Sequence, residues 1–269
     1  MSVTAGIDVG STYTKAVVTD EAGAILGSTS FPTGYNFGRA AERALMEALD
    51  AAGLPRDDID YVAATGYGRY MVPFRDLAIT ELTCHAHAAH GLFPDARTVL
   101  DVGGQTVKAI RMDGLGRVKA FRLNDKCAAG SGAFLEKTAR YLGYEPSDIP
   151  RLADEASDPA EVSSVCAVFA ESEVINHLAA GRSAEDVCAG AVVALAGRAG
   201  QLVKRVKPEP AYVLSGGLTI VPLMRRMLEG SLKVTFHVPD ARLGVYLGAI
   251  GPSLLARQRH RKLTERSSA

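Results

Sequence analysis

Two short stretches of the chain repeat each other, and this repeat limits the fold more than any other feature of the sequence. Residues 8–10 read Asp-Val-Gly, and residues 101–103 read the same. In each copy four residues separate the glycine from a lysine, Lys15 or Lys108, which stands in a second apolar run. Each copy therefore predicts two strands joined by a tight hairpin, and the shared spacing of aspartate, glycine and lysine indicates duplication.

The ends of these hairpins are typical of phosphate binding. Glycine and hydroxyl residues at a hairpin tip leave backbone amides free to face an anion, so two tips predict one nucleotide held between two halves. A single Asp-x-Gly is more often ordinary turn chemistry, and it is the repetition that favours the nucleotide. A Rossmann dinucleotide site is excluded, because a helix must follow its glycines directly and here a β-rich run follows.

The candidate nucleotide site combines these two tips with two further glycine-rich turns. Its predicted binding residues are Gly10, Ser11, Thr12, Thr14, Lys15, Gly103, Gly104, Gln105, Thr106, Gly130, Ser131, Gly132, Ser215, Gly216 and Gly217. Asp8 and Asp101 are placed to hold Mg²⁺ directly or through its water molecules, and these two aspartates and Gln105 are the predicted catalytic residues. Lys15 is either a phosphate contact or an exposed strand residue.

Composition narrows the class of protein. The chain has 269 residues, 47% of them hydrophobic, and a formal net charge of +0, as in an ordinary globular protein. Zero net charge gives no electrostatic reason to expect a nucleic acid or a membrane as partner. The first strand begins too early for a signal peptide, so we expect a cytoplasmic protein with reduced cysteines.

The pattern of apolar residues predicts alternating helices and strands. Helical spacing predicts helices near residues 38–52, 80–91, 129–142, 168–180, 189–206 and 243–257. Short apolar runs predict strands near residues 25–31, 60–64, 211–214 and 234–238. The helix at 189–206 is apolar nearly all round, which predicts that it is buried. Residues 144–158 read as a polar loop.

A boundary is predicted at residues 93–95, which divides the chain into subdomains 1–94 and 95–269, with the C-terminal helix allowed to pack back on the first. The predicted order, a strand and a hairpin followed by alternating helices and strands, occurs twice in the chain. This order is that of the actin, sugar-kinase and chaperone ATPase superfold. The predicted fold class is therefore α/β, with duplicated actin-like ATPase (ribonuclease H-like) domains and a nucleotide cleft between them.

Two cysteines suggest a function beyond that of a kinase. Cys127 and Cys166 each stand immediately ahead of a predicted helix. The partial positive charge of a helix N-terminus lowers the pKa of a thiol there and stabilises an anionic cluster. Two thiolates cannot ligate a cubane cluster, but two chains related by a twofold axis complete a Cys₄ site. The alternative is that both are small buried thiols of a core.

The segments around these cysteines resemble a known family. Residues 124–132 and 166–175, with residues 65–69 and 81–86, closely resemble the activator ATPases of 2-hydroxyacyl-CoA dehydratases and the ATPase subunits of benzoyl-CoA reductases, the BadF/BadG/BcrA/BcrD type. The likeness covers nearly the whole chain. It implies a homodimer, or a dimer with a related subunit, that binds ATP or ADP and one [4Fe–4S] cluster through Cys127 and Cys166.

The resemblance also implies a reaction and its partners. ATP hydrolysis would drive a low-potential electron from the cluster into an acyl-CoA dehydratase or an aromatic acyl-CoA reductase, with ferredoxin or flavodoxin as electron donor. One position departs from the family pattern: Thr106 stands where the activators typically carry a second aspartate. A hydroxyl can bond a γ-phosphate but is no anionic ligand, so the water could be positioned by Gln105, Asp125 or Glu171, among which the sequence does not choose.

Alternatives remain open for the function and for the other thiols. A sugar or acyl kinase of the same superfold would need a substrate pocket and a base but no cluster. Cys84, His85, His87 and His90 share one predicted helix, but their spacing matches no compact zinc pattern, and a packed or partner-facing helix is favoured. Cys188 is expected in the core.

Overall fold

A computed structural model of the chain describes residues 2–124, 131–163 and 167–267. The chain forms two compact units, each with a five-stranded sheet. The first unit contains Met1–Pro94, Gly114–Val118 and Tyr246–Ala269, and the second contains Asp95–Asp113 and Lys119–Val245. The first segment of the first unit ends at Pro94, and the last helix belongs with the same unit.

The sheet of the first unit has the strand order β3-β2-β1-β4-β5. Its strands are β1 (Thr4–Val9), β2 (Tyr13–Thr19), β3 (Ile25–Pro32), β4 (Tyr61–Thr65) and β5 (Leu77–Ala78). The first three are antiparallel, whereas β4 runs parallel to β1 and β5 parallel to β4. Its helices are α1 (Phe37–Ala52), α2 (Glu81–Leu92) and α9 (Leu247–Ser267).

Alternation along β1 distributes its side chains between two helices. Ala5 and Ile7 join an apolar core with Leu45 and other residues of α1. Gly6 lies between them in sequence and approaches the backbone of α9 at Ala249 so closely that no side chain would fit. Because successive strand residues point to opposite faces, one strand serves both packing layers.

The second unit repeats this plan around a sheet of order β10-β9-β6-β7-β8. Its strands are β6 (Thr98–Val102), β7 (Val107–Met112), β8 (Val118–Leu123), β9 (Tyr212–Ser215) and β10 (Phe236–His237). β6 and β7 are antiparallel, and β9 runs parallel to β6. Its helices are α3 (Gly132–Tyr141), α4 (Ile149–Glu155), α5 (Ala167–Ala179), α6 (Ala184–Lys204), α7 (Pro222–Leu232) and α8 (Ala241–Gly244).

The apolar helix predicted near residues 189–206 is α6, the central helix of the second core. Its N-terminus is capped by the side chain of Ser183, which accepts a hydrogen bond from Asp186 N. The helix is long and apolar enough to span a membrane, but 78% of its most apolar window is buried inside the protein. That burial, among residues such as Leu195 and Val203, is typical of a core helix.

Two parts of the second half differ from the expectation. The predicted polar loop contains a 3₁₀ turn, Pro146–Asp148, followed by α4, which buries Ile149, Leu152 and Ala153. Only these three apolar residues at helical spacing mark the helix in a stretch rich in Pro and Asp, and tertiary packing outweighs the local composition. After the turn at residues 215–217 the sequence predicts only a helix start, without bounds; the helix α7 begins there with Pro222 in its first turn.

Close packing of α9 on α2 depends on Gly251. A Cβ at this position would collide with the carbonyl oxygen of Cys84 and lie 2.7 Å from the Cys84 Cα. We expect Gly251→Ala to lower the free energy of unfolding by about 2 kcal/mol or more, since neither backbone can yield cheaply. Urea unfolding followed by circular dichroism measures the change.

Gly197 provides the matched control, because it is an exposed glycine of α6 and a Cβ added there would have no atom within 4 Å. Gly197→Ala should raise the free energy of unfolding by about 0.5–1 kcal/mol, because alanine has the higher helix propensity. Equal effects of the two substitutions would contradict the packing of α2 on α9.

Candidate nucleotide site

Within each hairpin, the repeated aspartate on one strand faces the repeated lysine on the other. The antiparallel register pairs Asp8 with Lys15 in the first unit and Asp101 with Lys108 in the second. The Lys15 Nζ lies 3.4 Å from Asp8 Oδ2, and the Lys108 Nζ lies 3.0 Å from Asp101 Oδ2. The structure therefore directs Lys15 to a carboxylate of its own sheet.

The ion pair of the second unit is the more enclosed one. The side chains of Lys108 and Asp101 are 7% and 4% exposed, against 20% and 12% for Lys15 and Asp8. Ser215, fully buried at the end of β9, donates a hydrogen bond of 3.0 Å to Asp101 Oδ1. Both carboxylate oxygens of Asp101 thus have a donor. Lys108 was part of the repeat but was not among the predicted site residues.

Both hairpin tips close in the same way. We call residues 10–13 the first tip and residues 103–106 the second tip. Gly10 N donates to Tyr13 O over 3.1 Å, and Gly103 N donates to Thr106 O over 2.9 Å. These two glycine amides hold the turns, so a phosphate would have to use other groups of the tips. Gln105 is exposed at the second tip.

The first tip offers a hydroxyl suited to a phosphate. The Thr12 Oγ1 is buried and has no hydrogen-bond partner within the described part of the chain. A buried hydroxyl without a partner costs free energy, and a bound phosphate oxygen would satisfy it. This observation fits a nucleotide at the first tip.

Thr14, also predicted to bind the nucleotide, lies inside the sheet. It is fully buried and its Oγ1 lies 2.9 Å from the Oγ1 of Thr33. Thr33 in turn donates to Gly10 O over 2.8 Å, so Thr14 must be the donor between the two hydroxyls. Thr33 N also donates to Thr12 O. Thr33 therefore braces the first tip, and no local sequence pattern marks it.

A glycine follows the parallel strand beside each hairpin. Thr65 on β4 is the register partner of Asp8, and Ser215 on β9 is the register partner of Asp101. The next residues, Gly66 and Gly216, have φ values of +88° and +98°. A Cβ on Gly66 would lie 2.6 Å from Asp8 Oδ1. The turn predicted at residues 215–217 thus has a counterpart in the first unit, marked in the sequence by a hydroxyl residue before glycine.

The start of α3 is bonded to the second tip. Gly132 N donates to Gly103 O over 2.9 Å, and Ala133 N donates to Gly104 O over 2.6 Å. A Cβ on Gly132 would lie 3.1 Å from Gly103 O, so glycine permits this approach. Ser131, the N-terminal cap position, is fully buried. The Gly132 amide, predicted to bind the nucleotide, thus donates its hydrogen bond to the protein backbone.

Asn124 ties the other side of the same segment to the hairpin. Its backbone N donates to Val107 O, and its Oδ1 accepts from Val107 N over 2.8 Å. The predicted residues Asp125, Cys127, Gly130 and Cys166 lie outside the described residues. Two described residues near the stretch 125–130 are therefore hydrogen-bonded to the second hairpin: Asn124, directly before it, and Gly132, two positions after it.

The remaining candidate groups have partners or are buried. Glu171 Oε2 accepts a hydrogen bond of 2.7 Å from Lys137 Nζ, and this bond raises the pKa of Lys137. Burial raises the pKa of the Cys84 and Cys188 thiols to about 12. Within the described residues, no three His, Cys, Asp or Glu side chains are grouped for a metal ion, and Cys84 and His85 are buried on α2.

Comparison with known proteins identifies the family. The model of the BadF/BadG/BcrA/BcrD ATPase family matches residues 5–256. The chain belongs to this family. The resemblance seen in the sequence is thus confirmed, and as a BadF/BadG/BcrA/BcrD ATPase the chain binds and hydrolyses ATP.

Several relatives of this ATPase have named activities, and two of them are a dehydratase activator and a reductase subunit. The chain is 41% identical to the activator of lactoyl-CoA dehydratase from Anaerotignum propionicum over 94% of its own length and 96% of that protein. It is 38% identical to a benzoyl-CoA reductase subunit from Thauera aromatica over 98% of its own length and 96% of that protein.

Solved structures confirm that this chain has the actin-like α/β fold. The activator of the 2-hydroxyisocaproyl-CoA dehydratase from Clostridium difficile with bound ADPNP superposes with a TM-score of 0.91 at 34% identity, covering 98% of this chain and 97% of that one. A ROK family glucokinase from Streptomyces griseus has a TM-score of 0.58 at 18% identity, covering 96% of this chain and 100% of that one, and shares the fold alone.

The glycine pair beside the second hairpin provides a test of the site geometry. A Cβ on Gly216 would lie 2.6 Å from the carbonyl carbon of Val102 in a backbone conformation that L residues rarely adopt, whereas Gly217 has open space around it. We expect Gly216→Ala to lower the free energy of unfolding by about 2 kcal/mol, and Gly217→Ala by less than about 0.5 kcal/mol. Urea titration of both variants measures the difference, and tolerance of Gly216→Ala would contradict this turn.

The buried thiols should resist alkylation in the folded protein. With a pKa of about 12 for Cys84 and Cys188, only about 10⁻⁴ of either thiol is ionised at about pH 8, and the thiolate is the reactive form. We expect iodoacetamide to leave both unmodified in native protein and to modify both in guanidinium chloride, as read by peptide mass spectrometry. Rapid native labelling of either peptide would refute their burial.

Proposed function

We propose that this ATPase is an ATP-dependent one-electron donor that activates an acyl-CoA dehydratase or an aromatic acyl-CoA reductase. The observation that carries the proposal is 41% identity, over 94% of the chain, to an activator of lactoyl-CoA dehydratase. The similar identity to a subunit of benzoyl-CoA reductase leaves both classes of acceptor within the proposal. A kinase activity has only the shared fold in its favour.

We propose that two copies of the chain, or one copy and a related subunit, hold one [4Fe–4S] cluster through Cys127 and Cys166. Such a cluster, when bound, supplies one-electron chemistry at low potential. In the sequence Cys166 directly precedes Ala167, the first residue of α5, so its thiolate would gain from the partial positive charge of that helix end. The described residues do not include either cysteine.

The surroundings of the two cysteines support a link between nucleotide and cluster. Asn124 and Gly132, described residues before and after the stretch that contains Cys127 in the sequence, are hydrogen-bonded to the second hairpin. The two helices that follow the cysteines, α3 and α5, are joined by the ion pair of Lys137 and Glu171 at 2.7 Å. A change in the second tip on ATP hydrolysis would therefore act directly on the neighbours of Cys127.

We assign the phosphates of ATP to the two tips, with Thr12 as one hydroxyl donor and with Mg²⁺ near Asp8 and Asp101. Carboxylates are ligands that Mg²⁺ prefers, usually together with several waters. Positioning of the attacking water falls to Gln105, which is exposed at the second tip, whereas Glu171 is engaged by Lys137. The electron would be supplied by a ferredoxin or flavodoxin.

Iron analysis after anaerobic purification tests the cluster assignment. We expect about four iron atoms per two chains, a brown colour that oxygen bleaches, and loss of both iron and dimerisation in Cys127→Ser and Cys166→Ser. Cys188→Ala is the matched control, since Cys188 is buried in the core and should leave the iron content unchanged. Iron retained by both serine variants would contradict the assignment.

The acceptor is identified by reconstitution. Reduced protein and MgATP are mixed with purified components of a 2-hydroxyacyl-CoA dehydratase or of a benzoyl-CoA reductase, and the acyl-CoA products are separated by chromatography. We expect turnover with one class of acceptor and none when ADP replaces ATP. Phosphorylation of a sugar or acyl group without any electron transfer would favour the kinase instead.

A further inference from the structure

We propose that Lys108 and Ser215 are positioning residues for ATP hydrolysis, because they hold the carboxylate of Asp101 in one orientation beside the second tip. The inference rests on the proposed magnesium role of Asp101 and goes beyond it, since it assigns roles to two side chains that need not contact the nucleotide. It concerns the second unit alone.

The three side chains come from three adjacent strands. Asp101 lies on the central strand β6, Lys108 on its antiparallel neighbour β7, and Ser215 on its parallel neighbour β9. Lys108 Nζ bonds Oδ2 and Ser215 Oγ bonds Oδ1, each at 3.0 Å. A carboxylate bonded at both oxygens from opposite sides cannot rotate without losing one bond. The sheet itself therefore sets the orientation of the Asp101 carboxylate.

The pair lies directly against the second tip. A Cβ on Gly103 would be 3.7 Å from Asp101 Oδ2 and 3.9 Å from Lys108 Nζ. No side chain at position 103 separates the tip from the buried pair, so both charges act at short range on whatever the tip binds. Asp101 is 3% exposed and Lys108 is 6% exposed, and in such an environment charges are weakly screened.

The first hairpin shows that the fold does not require a bond like that from Ser215 to Asp101. Thr65 occupies the register position of Ser215, but its hydroxyl donates to Ile79 O over 2.9 Å instead of to Asp8. The ion pair of Asp8 and Lys15 is longer, and the Asp8 carboxylate borders two glycines, Gly66 and Gly248. The same strand and hairpin thus form with an aspartate held from one side only, so the Ser215 bond is a feature of the second site.

A fixed carboxylate presents the same oxygen atoms to a hydrated metal ion in every turnover. Removing one of the two donors would let it rotate, and removing the lysine would also leave a buried carboxylate without its cation. The effect should appear in the magnesium dependence and in kcat. Binding of nucleotide without metal should change little, because the Lys108 ammonium and the Ser215 hydroxyl, the second of them predicted from the sequence to contact the nucleotide, are both directed to Asp101 instead.

The test measures ATP hydrolysis by the purified protein as a function of MgCl₂. We expect Ser215→Ala to raise the half-saturating Mg²⁺ concentration and to lower kcat, each about tenfold, as loss of a hydrogen bond to a charged group predicts. Lys108→Met should also lower kcat about tenfold but lower the half-saturating Mg²⁺ concentration, because it removes a positive charge that competes with the metal for the Asp101 carboxylate. Ser215→Thr keeps the hydroxyl and should restore both values to within about twofold. Binding of ADP in EDTA, measured by calorimetry, should stay within about threefold in all variants.

Thr98→Val is the matched control, because it removes another fully buried hydroxyl from the same strand as Asp101, one that bonds Glu209 O at 2.7 Å and not Asp101. Magnesium dependence that changes no more in Ser215→Ala and Lys108→Met than in Thr98→Val would overturn the proposal, as would failure of Ser215→Thr to rescue. This measurement does not depend on the iron content. A failure of the proposed cluster assignment would be seen in the iron analysis and not here.

Discussion

The antiparallel register of the two hairpins is the constraint on which the rest of the structure depends. It places each repeated aspartate opposite its lysine on one face of the sheet, while the neighbouring residues of the same strand enter the apolar core. Leu100 and Val102 flank Asp101 in this way and are fully buried. A slip of one residue would turn the charged pair into the core and the core residues out, so burial of the apolar face also fixes the site.

The duplicated units have kept this register while the details around it differ. In the first unit the aspartate is held from one side, and a buried threonine hydroxyl, that of Thr12, lies at the tip. In the second unit the aspartate is held from both sides, and the hairpin is bonded to Asn124 and to the start of α3. The two units thus hold their aspartates with different rigidity although they share one backbone plan.

Local signals explain which parts the sequence could predict. The hairpins, the helices α1 and α2 and the buried helix α6 follow from periodicity and turn residues, and the structure confirms them within a few residues. The brace formed by Thr33 could not be predicted, because it meets the first tip only after β3 has paired with β2. The hydrogen bond from Ser215 to Asp101 likewise depends on strand order, which brings together two residues 114 positions apart.

The place of α9 has a consequence for the order in which the protein folds during synthesis. This helix packs on β1 and α2, where Gly6 and Gly251 allow backbones to touch, yet it is translated after every residue of the second unit. On the ribosome the second unit has all of its strands and helices before the first unit has its last layer. The N-terminal sheet therefore has one face uncovered, that of Thr4 and Gly6, until translation reaches the helix that covers it.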